Sequence, residues 1–172
     1  MDVNIINPFI RSTKQIFADM VHISLSAGKP YLKPPAERVH KLYQLSAIIG
    51  FSGSMQGQVI LSMSEPVCLA ISSALLAMPI HKVNAECYDA IAELINMIAG
   101  GAKKDIAPST PISLTIPKIM LSENVRYLRD LPVLIIPFDT SVGKMLLQVL
   151  MHKHQAAEPE FEFLSPDENE AA

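Results

Sequence analysis

At 172 residues and 49% apolar content, the chain is long enough to bury one substantial core. Aromatic residues make up 6% and there is no Trp, so that core must be built from Ile, Leu, Val, Met and Ala. No apolar run approaches the ~18 residues of a spanning helix, and the N-terminus lacks the basic and apolar regions of a signal peptide, so a cytoplasmic protein without a membrane span is expected. Two cysteines, Cys68 and Cys87, exclude a disulfide framework and a Cys-based metal set, and both read as small core residues. The net charge of −3 is set by the C-terminal end: six acidic residues against Lys153 over 153–172. Without that stretch the balance is mildly basic, and no basic stripe with interleaved aromatics points to nucleic acid.

The first element in chain order is an amphipathic helix over 5–20, with Phe9, Ile16, Phe17 and Met20 turned inward. Residues 22–33 read as extended structure broken at Gly28-Lys29-Pro30, and Pro34-Pro35 marks a loop. Ser46–Phe51 predicts a buried strand, Gly53–Gly57 a turn, and Gln58–Met63 the returning strand. Pro66–Met78 predicts a helix with Pro in its first turn. Asn84 is placed to cap a long helix running to about Ile106. Ile112–Leu121 reads as a strand containing Pro117. Leu131–Phe138, a turn at Asp139–Gly143, and Lys144–His152 then form a second hairpin. Residues 1–152 are expected to form one domain, and 153–172 an acidic, Pro-interrupted, disordered tail.

The order helix, strand, hairpin thus occurs twice, with an extra helix between. Two halves of this kind would pair their strands into one mostly antiparallel sheet with helices packed on its faces, an internally duplicated α/β (α+β) fold.

The long helix after Asn84 carries the chemistry. Asp89, Glu93 and Asn96 stand at i, i+4 and i+7, which puts them on one stripe, while Ile91, Leu94, Ile95 and Ile98 form the opposite face. Asn is a mediocre helix former that favours caps and turns. A carboxylate and a carboxamide one turn apart on an exposed face make a hydrogen-bonding tool aimed outside the protein.

The stretch Asp89–Asn96, followed by Pro117, resembles the signature of the CheX/CheC/FliY chemotaxis phosphatases, and CheX most closely. Asn7-Pro8-Phe9-Ile10, Ile48–Gly53, Asn96–Gly100 and Val133–Phe138 extend the resemblance over about residues 1–152. The segment between Asn96 and Pro117, around Lys104–Ser109, is about two residues shorter than in that family. The first helix contains no Glu-x-x-Asn over Phe9–Ile16, which leaves one site, as in CheX. The resemblance implies hydrolysis of the aspartyl phosphate on a CheY-like response regulator. Asn96 would position the attacking water and Glu93 would pair with the receiver's Lys. Asp89, Gly100 and Pro117 would contact the partner. It also implies no metal or cofactor held by this chain, since the Mg²⁺ belongs to the receiver. A homodimer through edge strands is implied as well, and Ile135–Met151 is the expected contact. A monomer with that edge covered by the acidic tail is the alternative. For function, the alternative is a non-catalytic module of the same fold that docks on a receiver or a flagellar component. His152 and His154 have no third metal ligand in sight and read as solvated side chains.

Overall fold

The computed structural model describes residues 3–33, 43–53, 55–106, 111–121, 125 and 132–153. The expected loop at Pro34-Pro35 and residues 154–172 of the expected tail lie outside these. Helix α1 (Val3–Ile16) continues into a π-helical turn, Phe17–Val21, closed by the His22 N–H donating to Phe17 O at 2.7 Å. Two short strands follow, β1 (Leu25–Ala27) and β2 (Tyr31–Lys33), and then a hairpin of β3 (Leu45–Gly53) and β4 (Met55–Met63). Helices α2 (Glu65–Leu76) and α3 (Ala85–Ile106) lead to β5 (Ile112–Leu114), β6 (Lys118–Leu121) and a second hairpin of β7 (Val133–Thr140) and β8 (Gly143–Lys153).

The eight strands among the described residues form one antiparallel sheet in the order β1-β7-β8-β4-β3-β5, with β2 continuing β1 along β7 and β6 continuing β5 along β3. The repeat read in the sequence is therefore an exchange. The split strand of each half pairs with the hairpin of the other half. Ala27 pairs with Phe138, and Leu114 with Phe51. The Gly28 N–H donates to Pro137 O at 2.8 Å, and at the matching place the Thr115 N–H donates to Gly50 O at 2.9 Å. Matching strand residues differ by 87 in number, as Ala27 and Leu114 or Phe51 and Phe138 do.

Among the described residues the helices all pack on one face of the sheet rather than on both. Phe9 and Phe17 of α1, Val67 and Ile71 of α2, and Ile91, Leu94 and Ile98 of α3 share a core with Ile49, Leu61, Ile136 and Leu147. The other face holds a smaller apolar cluster of Ile60, Val125, Val133, Ile135 and Leu150. Central strands buried on both faces read as continuous apolar runs, as Val133–Ile136 does.

Several expectations need correction. Met20 is 46% exposed and Val21 is buried instead. A π-turn needs more residues per turn than an α-helix, so a side chain three positions after Phe17 falls short of the core face. Gly57 lies inside β4, not in a turn; a Cβ there would collide with the Leu150 carbonyl and the Phe51 ring. Ile112–Leu121 is two strands, interrupted at Thr115–Pro117. The Ile135–Met151 segment is not an edge: β4 pairs Met145–Lys153 on one side of β8, and β7 pairs Gly143–Val149 on the other. Among the described residues the edges of the sheet are β1/β2 and β5/β6. Among the described residues no helix is long and apolar enough to cross a membrane.

Candidate functional site

The start of α3 follows from Asn84. Its Oδ1 accepts the Cys87 N–H at 3.0 Å, satisfying one of the free amides of the first turn. From there the buried face is continuous: Cys87, Ala90, Ile91, Leu94, Ile95, Ile98, Ala99 and Ala102. This fixes the rotation of the helix. Asp89, Glu93 and Asn96 are exposed, and Gly100 follows in the same row. The stripe from Asp89 to Gly100 spans about 16 Å of helix axis. Among the described residues none of the three polar side chains has a hydrogen bond or ion pair within the protein, unlike Asn84 and Asp105 at the two ends of the helix.

The two glycines of α3 differ. A Cβ on Gly101 would run into the Ser12 side chain, and the Ser12 hydroxyl donates to Ile98 O at 2.9 Å, so Gly101 is where α1 crosses α3 closely. A Cβ on Gly100 would meet nothing within 4 Å. The protein's own packing does not require glycine there.

Pro117 is not on the helix. Ile106 near the end of α3 lines the same apolar pocket as Ile112 and Leu114. The chain then runs back along the sheet edge, which brings Thr115–Pro117 about level with the turn carrying Asn96. Thr115 fixes this kink twice, through its own N–H and by accepting the Gly50 N–H on its Oγ1 at 2.9 Å. Pro117 is half-buried, whereas Ile116 is 86% exposed. Nothing local signals this exposure, because an Ile inside a strand-like run reads as core.

The crossing at Ser12 and Gly101 also sets the register between the repeated helices. Matching residues there differ by 89, so Asn4 and Asn7 of α1 stand at the positions of Glu93 and Asn96. The first copy has two more residues between its helix and its strand, in the stretch that holds the π-turn. The carboxylate position of α1 is an Asn, so α1 lacks the Glu-x-x-Asn pair.

Cys68 and Cys87 are fully buried. Burial, reinforced by the neighbouring Cys87, pushes the Cys68 thiol up to about 11, so it is not a nucleophile. Among the described residues no cluster of three or more His, Cys, Asp or Glu has the arrangement of a metal site.

The family model for the chemotaxis phosphatase CheX matches residues 45–139, more than half of the chain. The chain belongs to the CheX family. It is 32% identical over 123 residues to the CheY-P phosphatase CheX of Thermotoga maritima, covering 66% of this chain and 77% of that protein. A CheC-like superfamily protein from Shewanella sp. PV-4 superposes with a TM-score of 0.77 at 25% identity, covering 88% of this chain and 99% of the other. The CheX in a CheX–CheY–BeF3–Mg²⁺ complex from Borrelia burgdorferi shares the fold, with a TM-score of 0.74 at 21% identity over 88% of this chain and all of that one. The family's α/β fold is the one described above.

Proposed function

We propose that this chain is a phosphatase for the aspartyl phosphate of a CheY-like response regulator, that Glu93 and Asn96 carry the reaction, and that residues 1–152 are the phosphatase domain. The observation that carries the reading is the exposed Glu93–Asn96 pair, rotated outward on a helix whose other face is locked into the core and left without internal partners. The family membership and the Thermotoga maritima relative, a CheY-P phosphatase, support it.

The chemistry suits the residues. Phosphoryl transfer passes through a loose transition state, which needs an in-line water and charge stabilisation more than a strong base. The Asn96 carboxamide accepts a hydrogen bond from the attacking water on its oxygen and donates another from its nitrogen, which holds the water in line. Glu93, one turn earlier, pairs with the receiver's Lys and sets the register of α3 on the receiver. Asp89 adds a contact at the rim. Gly100 lets the partner backbone come close, and Pro117 borders the stripe from the sheet edge. The receiver supplies the Mg²⁺, which neutralises charge on the transferring group; this chain supplies position.

Decay of a phosphorylated CheY-like receiver, followed with wild-type protein and with Asn96→Ala, tests the reading. Wild type should accelerate decay and Asn96→Ala should not, while binding to the receiver persists. Wild-type protein that binds without acceleration would make the chain a docking module instead. A homodimer of this chain would pair its copies along β1/β2 or β5/β6, the edges of the sheet among the described residues, where Tyr31, Leu32 and Leu121 are exposed.

A further inference from the structure

An open groove of about 500 Å³ lies between α1 and α3, beside the Ser12–Gly101 crossing. Met97, Gly100 and Lys104 line it from α3, and Arg11, Gln15 and Ile16 from α1. Gly100 belongs to both surfaces: it is the last member of the Asp89–Asn96 stripe and the near wall of the groove. Gly costs about 1 kcal/mol relative to Ala inside a helix. The space over Gly100 is empty, so internal packing does not offset that cost. Close approach of a partner backbone would.

The groove is asymmetric in charge. Arg11 stands on α1 where Gly100 stands on α3, so one wall is bare and the other carries a guanidinium. Arg11 is paired to Asp105 at 3.3 Å, with side-chain exposures of 69% and 46%. A pair this exposed is worth little to the fold. One carboxylate also leaves most of the five guanidinium donors facing solvent. Arg11 and Lys104 against Asp105 leave the rim positive. A receiver presents the opposite charge around its phosphorylation site, because the Mg²⁺ there is held by carboxylates and the aspartyl phosphate is itself an anion.

We propose that this groove is the second half of the receiver-docking surface, with Arg11 selecting the acidic rim of the receiver and Gln15 and Ile16 setting the shape of what fits. The proposal rests on the phosphatase reading above and adds α1 to it. In this arrangement α3 does the chemistry, and α1 decides which receiver is held against it.

The test is binding and turnover with a CheY-like receiver, activated by beryllofluoride and Mg²⁺ for binding and phosphorylated for turnover. Arg11→Glu should weaken binding by about tenfold at low salt, with the loss shrinking as salt rises, and should raise KM far more than it lowers kcat. Gln15→Trp, which fills the groove without changing charge, should weaken binding by a similar factor. The single variant Asp105→Asn removes the ion pair between the helices and leaves Arg11 in the groove. If docking is the role of Arg11, binding in Asp105→Asn is unchanged or tighter. A loss in Asp105→Asn as large as in Arg11→Glu would reduce Arg11 to a helix-pairing residue and overturn the proposal. So would unchanged binding in both Arg11→Glu and Gln15→Trp. Failure of the underlying reading looks different: wild-type protein would neither bind nor dephosphorylate the receiver.

Discussion

Gly100 and Gly101 are neighbours on α3 under opposite constraints, and substitution separates them. Ala at position 101 collides with Ser12, so Gly101→Ala should lower the melting temperature as α1 is pushed off α3. Ala at position 100 meets nothing and is the better helix former, so Gly100→Ala should raise the melting temperature by about 1–4 °C while weakening receiver docking. A variant that is both more stable and less active is what a functional glycine predicts; full activity in Gly100→Ala would return it to an accident of sequence. The polar pair divides in the same way. Asn96→Ala should lower kcat by on the order of 10²-fold, because the interaction it removes matters most in the transition state. Glu93→Ala should weaken docking as well as turnover, and unaltered affinity for the activated receiver would count against the ion pair with Lys. The thiols serve as an internal reference. With Cys68 held near 11 by burial, neither it nor the equally buried Cys87 should react with a thiol reagent at pH 8 until the protein unfolds. A raised thiol pKa contributes stability that is fully present below about pH 9 and is lost as pH rises toward 11.

At the scale of elements, α3 was the most legible part of the chain. Its cap, its apolar period and its polar stripe are all local, and each appears where the sequence placed it. Asn84→Ala should cost about 1 kcal/mol through the Cys87 N–H left without its acceptor, and a drop of a few degrees in melting temperature checks it. Two errors show what local pattern cannot carry. An α-helical phase continued through Phe17–Val21 turns Met20 inward, and a single π-turn changes that phase. Gly marks turns, and that local rule puts Gly57 in one. It is a strand residue that needs no side chain because Leu150 of β8 and the Phe51 ring come close. That contact joins residues some ninety positions apart, and no window of sequence contains it. Of the candidate site, the stripe was legible because one helix holds all of it. The α1–α3 groove and the exposed Ile116 were not, since each depends on which element lies beside which.

Across the whole molecule, the same limit explains the misplaced edge. The sequence shows two copies of helix, strand and hairpin, and a natural inference leaves the last hairpin at an edge. The chain instead exchanges its split strands between copies, which puts β8 and β4 in the middle of the sheet. The exchange has an energetic consequence. In an isolated first half, residues 1–78, β1 and β2 lose β7, β3 loses β5 and β6, and β4 loses β8. An isolated second half, residues 79–172, loses the matching partners. Each half keeps its own hairpin and helix, but a lone hairpin is marginal in water and half of the shared core is missing. The full chain should therefore unfold in one cooperative step, with far-ultraviolet and near-ultraviolet transitions coincident. A cut between the exposed Met78 and Pro79 should give two fragments that each lack a cooperative transition at low micromolar concentration. Mixed, they should recover both the transition and receiver dephosphorylation, because every strand then finds its neighbour. A fragment that melts cooperatively alone would mean that one copy is a domain in its own right. The interlocked sheet would then describe how two finished halves dock rather than what folds either of them.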